Sequence, residues 1–180
     1  MWKSTSELGY LHAIEPPQLR GRRRVDGVGR PKFDFHTGSD AIVRREFDLV
    51  TKKFVEDAPF RLEDPSKSRC SWVDKDTIFL GADLGQEGDM TSSGYPRRVR
   101  EWKRGTDPKD APVVFEGEDG DVSVGAYVSR SRGHAFEWRY RTTSFYTSKR
   151  WLRRYNGNET WRALDELGFP DDASVSHTGA

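Results

Sequence analysis

The residues able to do chemistry are few and scattered. Four histidines, His12, His36, His134 and His177, stand in no i, i+4 pair and in no His-Glu-x-x-His run, so zinc ligation has no helix face to use. Asp34-Phe35-His36 sets one imidazole beside a carboxylate, the pairing a general base needs. It carries one functional reading, a hydrolase or transferase using His36 with a carboxylate. Glu116, Glu118, Asp119 and Asp121 offer oxygen ligands suited to a divalent cation, but Asp119-Gly120 is a hairpin-turn pair that accounts for them as loop residues. No phosphate-binding G-x-x-x-x-G-K-[ST] loop and no G-x-S-x-G nucleophile elbow occurs. No catalytic residue, metal site or cofactor is therefore assigned.

Charge is a stronger signal than chemistry. The formal net charge is only +1, yet the cations are segregated. Between Arg130 and Arg154 lie Arg130, Arg132, Arg139, Arg141, Lys149, Arg150, Arg153 and Arg154, against Glu137 alone. Phe136, Trp138, Tyr140, Phe145, Tyr146 and Trp151 are interleaved with them. A second block, from Gln18 to Lys32, holds Arg22, Arg23, Arg24 and Arg30 among glycines, and a third is Arg97 to Arg104. Separated basic blocks with aromatic interleaving point to a polyanion as partner.

The elements that must position these residues follow from periodicity. Val113 to Arg141 reads as a three-strand meander, VVFEG, DVSVGAYV and AFEWRYR, with glycine-bearing turns between. Helices are predicted over Ser148 to Tyr155 and Glu159 to Leu167, parted by Asn156-Gly157-Asn158. Alternation along the third strand puts Phe136, Trp138 and Tyr140 on one face and Glu137, Arg139 and Arg141 on the other. We expect the aromatic face in the core and the arginine face free to meet phosphate. Val43, Phe47, Val50 and Phe54 recur at helical spacing and predict a scaffold helix from Asp40 to about Glu56. A short helix is expected over residues 4 to 14. Cys70 to Val73 and Asp76 to Gly81 read as a hairpin, Ala82 to Gly94 as an exposed loop, and Arg97 to Arg104 as a helical turn or two.

These elements predict an α+β fold, a small antiparallel sheet packed by helices, with an extended basic N-terminal arm and long loops. Its expected divisions are an N-terminal segment and arm at 1–32, an α+β body at 33–104, a linker at 105–112, the basic and aromatic unit at 113–169, and a tail at 170–180. Within the arm, Gly29-Arg30-Pro31-Lys32 resembles the core of AT-hook peptides, with Val28 where their first core arginine stands. That resemblance implies arginine entry into an A·T-rich minor groove.

A single cysteine, Cys70, excludes an intramolecular disulfide and fits a reducing compartment. The N-terminus lacks the apolar run of a signal peptide, and no stretch is long enough to cross a bilayer. The expectation is a cytoplasmic chain, or one packaged inside a particle assembled in a cell. Its expected function is non-catalytic binding of DNA or RNA through the arginines of the C-terminal unit and the arm. The alternative is a structural or assembly protein docking other subunits.

Overall fold

Ile78-Phe79-Leu80 is an unbroken apolar run, too short for a helix and with no polar side, as a strand requires when both its faces are covered. A computed structural model describes residues 41–49 and 51–178 in full, and before them the backbone of four strands, β1 (Lys3–Ser4), β2 (Tyr10–Glu15), β3 (Arg24–Val25) and β4 (Pro31–Lys32). The chain continues through β5 (Ile42–Asp48), β6 (Lys53–Phe54), β7 (Leu62–Ser66), β8 (Arg69–Asp74), β9 (Thr77–Gly81), β10 (Arg98–Lys103) and β11 (Val113–Glu116). It ends with β12 (Ser123–Ser131), β13 (His134–Thr142), β14 (Ser148–Arg154), β15 (Arg162–Ala163) and one 3-10 turn, Asp165–Leu167.

All pairings are antiparallel. The first sheet is β1-β2-β5-β6, with β7 also on β5, and β3 pairs only with β4. Then come two meanders, β8 to β11 and β12 to β15, each with its four strands in sequence order. The second sheet is buried on both sides. Trp72, Ile78, Leu80 and Trp102 face Phe60 and Leu62 near the first sheet, while Val73, Phe79 and Val99 face Val124 and Ala126 of the third. Phe60 meets Trp72 and Trp102 edge-on, at 5.5 and 5.0 Å between ring centres. Each large apolar side chain so buried contributes about 1.5–3 kcal/mol.

The α+β expectation is overturned, because among the described residues there is no α-helix. The predicted helix from Asp40 to Glu56 is the β5–β6 hairpin, turned at Lys52 with φ 56°. Its helical spacing has a simple origin. Phe47 and Phe54 sit opposite each other across the hairpin, rings 5.2 Å apart and edge-on, so a seven-residue separation meets on one side as it would on a helix. Glu46, buried in mid-strand, hides the alternation that would have identified β5. Where a helix was predicted over Ser148 to Tyr155, Ser148–Arg154 is strand β14; its adjacent Trp151 and Leu152 point to opposite faces, both partly buried, and leave no period to read. Arg97 to Arg104 is likewise strand β10, and the backbone at 3–4 and 10–15 is strand where a helix was expected. The hairpin predicted at 70–81 is present as β8 and β9. VVFE joins the second sheet, not the third, through β10.

Cys70, beside this core, illustrates the local electrostatics. Burial pushes its thiol pKa up, against the opposing charge and hydrogen bond of Arg44, whose Nη1 lies 3.2 Å from Sγ. The folded pKa is above the unfolded one, so the thiol's contribution to stability is complete below the unfolded value and is lost as pH rises through the folded one. We expect a thiol reagent at pH 8 to label Cys70 at least about tenfold more slowly in the native protein than in urea. Equal rates would contradict this placement.

Candidate functional site

The third sheet decides what the arginines can do. Strand register pairs Val124 with Arg141, Ala126 with Arg139 and Val128 with Glu137, so these residues share one face. Val124 and Ala126 pack on Val73, Phe79 and Val99, and the arginine face is therefore the one turned toward the second sheet. This reverses the expectation that it would be free. Alternation shows which residues share a face, and only packing shows which face is covered.

The buried cations are neutralised internally. Arg141 donates to both carboxylate oxygens of Asp121, at 2.7 and 3.1 Å, and pairs with Glu118 at 2.7 Å. The approach is close, since a Cβ at Gly117 would lie 2.6 Å from Asp121 Oδ2 and 2.3 Å from Val124 Cγ2. Arg153 donates to Glu137 at 2.6 and 2.9 Å, and Arg139 to the same carboxylate at 3.3 Å. Both guanidiniums also stand over the Trp161 ring, at 4.6 and 4.1 Å. Burial lowers the Arg139 pKa, with the charge of Glu137 opposing the shift. Arg154 pairs with Glu159, Arg150 donates to the Ala173 carbonyl, and Arg130 donates to the Val73 carbonyl and covers Tyr155. Of this block only Arg132 and Lys149 lack an ionic or hydrogen-bonding partner among the described residues. Arg22, Arg23, Arg30 and His36 lie outside the described residues, as does the AT-hook-like stretch apart from the backbone of Pro31 and Lys32, and Arg24 is described only as backbone of β3.

The opposite face of the third sheet carries the aromatics. Tyr127 stacks on Trp138 at 5.9 Å, and residues 171–178 lie across this side. Ser148 N–H donates to the Asp171 carbonyl, and the Phe136 ring meets His177 edge-on at 4.8 Å. Ser129 Oγ accepts from Trp138 Nε1 at 2.8 Å and lies 3.1 Å from His177 Nδ1. No carboxylate bonds His177 among the described residues, so this serine and histidine lack the third group that would orient a base.

The strand directions gather several connections at one end of the sheets: residues 82–97 between β9 and β10, residues 117–122 between β11 and β12, the β13–β14 hairpin, and the turn after β15. Ala82 to Gly94, expected as an exposed loop without periodicity, makes up most of the first of these. Asp89 organises it, its Oδ2 accepting from Leu84 N–H and Gln86 N–H and its Oδ1 from Arg100 at 2.8 Å. Arg97 donates to the Gly88 carbonyl and Arg98 to that of Glu87, while both reach Glu116. Ser92 donates to the Asp119 carbonyl and Ser93 to that of Val122, which ties this loop to the acidic turn. Glu116, Glu118 and Asp121 thus serve as counter-charges, and among the described residues no group of three His, Cys, Asp or Glu is arranged to hold a metal ion.

Consecutive four-stranded antiparallel meanders packed face to face are the repeat of a β-propeller-like domain. Comparison with known proteins agrees. No family model matches the chain. It is 33% identical over 114 residues to the uncharacterized peptidase y4nA of Sinorhizobium fredii, a match covering 62% of this chain and 15% of that protein. It is 35% identical over 85 residues to the uncharacterized peptidase RP174 of Rickettsia prowazekii, covering 44% and 12%. A post-proline cleaving enzyme from Rickettsia typhi shares the fold with TM-score 0.68 at 21% identity, over 96% of this chain and 24% of that one. A structure from a study of two prolyl endopeptidases, concerned with inter-domain dynamics in catalysis and specificity, gives 0.56 at 14% identity, over 91% and 21%. The chain therefore spans only a small part of the length of each relative.

These findings correct the functional expectation. The two relatives are named as peptidases and the two structural neighbours are proline-specific peptidases, so the comparisons do not support non-catalytic nucleic-acid binding or a DNA or RNA partner. The physical reason is the internal pairing of the arginines, which leaves the basic block with little free charge. No helix among the described residues is long and apolar enough to cross a membrane.

Proposed function

We propose that this chain is the propeller-like portion of a peptidase of the post-proline-cleaving kind, supporting peptide cleavage without supplying the nucleophile. The observation that carries this reading is the correspondence with the Rickettsia typhi enzyme over 96% of this chain, with 33% identity to a second peptidase along 114 residues. The absence of a nucleophile elbow in the sequence, and of an oriented serine–histidine pair among the described residues, is consistent with a supporting role. In this role the buried ion pairs hold the loops at one sheet end in place, where they face the catalytic part and the peptide.

A chimera tests it. The aligned quarter of the Rickettsia typhi enzyme is replaced by this chain, and hydrolysis of a chromogenic peptide with an internal proline is compared with that of the parent. We expect kcat/KM within about tenfold of the parent, a loss of no more than about 1.4 kcal/mol of transition-state stabilisation. A folded chimera with no measurable cleavage would refute the proposal.

A further inference from the structure

The connection between β13 and β14 is unusual in what it displays. Phe145 and Tyr146 are 92% and 86% exposed, the most exposed large apolar side chains among the described residues. Their backbone is nonetheless tightly held. Thr143 N–H and Ser144 N–H donate to the Thr147 carbonyl, Ser144 Oγ accepts from Tyr146 N–H and Thr147 N–H, and the hydroxyls of Thr143 and Ser144 both lie within 2.9 Å of that of Thr147. Such a turn holds the backbone that carries the two rings, which lowers the backbone entropy lost when they are covered. Aromatic residues held this way are typical anchors of an interface.

Leu167 and Phe169 are further exposed apolar side chains. They are 38% and 44% exposed and lie at the same end of the sheet, because Phe169 N–H bonds the Leu164 carbonyl and Ser148 N–H, at the base of the hairpin, bonds that of Asp171. This is also the end that gathers the loops at 82–97 and 117–122. A single exposed leucine needs no explanation, but two exposed aromatics on a held turn, at the same end as further exposed apolar side chains, mark a contact surface.

We infer that the Phe145–Tyr146 tip, with Leu167 and Phe169, is the anchor by which this chain docks onto the catalytic portion of the peptidase. The inference rests on the peptidase reading. The occupant is argued from the relatives, since the Rickettsia typhi enzyme carries about three quarters of its length outside the part matched here. On the peptidase reading, the catalytic portion belongs to that remainder. The docking surface it needs is an apolar pocket with an acceptor for the Tyr146 hydroxyl.

Hydroxyl-radical footprinting of Phe145 and Tyr146 in the isolated chain and in the chimera reads the contact directly. We expect oxidation of both rings to fall at least about fivefold in the chimera, as for residues at the centre of an interface. F145S/Y146S should leave the melting temperature of the isolated chain unchanged and lower chimera kcat/KM at least about tenfold. Protection in an inactive chimera supports docking and counts only against the peptidase reading. Rings equally reactive in chain and chimera overturn the inference, whether or not the chimera cleaves. Protection in the isolated chain that grows with its own concentration also overturns it, since a second copy would then be the occupant.

Discussion

Replacing Asp89 with alanine should destabilise the fold by about 3–5 kcal/mol, the usual cost of stranding one member of a buried ion pair. Asp89 is 1% exposed and the Arg100 side chain 6%, so neither charge can turn to water. Among the described residues, Asp89→Ala leaves the guanidinium only Gln86 Oε1 and the Ala111 carbonyl as acceptors, and removes the acceptor for the N–H groups of Leu84 and Gln86. Urea unfolding measures the loss, and limited proteolysis should find new cleavage within 82–97. Asp89→Asn keeps an acceptor oxygen while losing the charge and should fall between alanine and the native residue. A loss below about 1 kcal/mol for the alanine variant would mean that the pair is hydrated, as surface pairs are.

Arg104→Ala should have a comparable effect, about 3–5 kcal/mol, for a related reason. Glu46 has a fully buried side chain and receives Arg104 at 2.8 and 2.9 Å, with Phe60 N–H as its other donor at 3.0 Å. Arg104 also donates to the carbonyls of Ala58 and Lys75 and lies over the Phe60 ring at 4.6 Å. It therefore fastens the first sheet to the second. The double variant R104A/E46L should recover part of the loss, because it removes the stranded carboxylate together with its partner. If the double variant is less stable than R104A alone, packing and the carbonyl contacts, not the unpaired charge, dominate.

These two pairs and a third also explain why charge was hard to interpret. Arg100 and Asp89 are 11 residues apart, Arg104 and Glu46 are 58 apart, and Arg141 and Asp121 are 20 apart. A window narrow enough to detect a basic block excludes the acids that neutralise it. Arg139 and Arg153 share Glu137, the one acid inside their own block, so even there the net count overstated the free charge.

What the amino-acid sequence determined by itself was local. The turn at Lys75-Asp76, one residue from the expected Asp74-Lys75, and the glycine at 133, with φ 81°, reverse the chain wherever they stand, so the β8–β9 and β12–β13 hairpins could be placed from adjacent residues. Alternation along β13 likewise assigned its residues to two sides correctly. The tertiary structure decided which side is covered, that Phe47 and Phe54 meet across a hairpin and not along a helix, and that β11 pairs with β10 across residues 104–112. These outcomes depend on contacts between distant strands, and a strand's hydrogen bonds, unlike those of a helix, are completed by residues its own neighbours in sequence cannot specify.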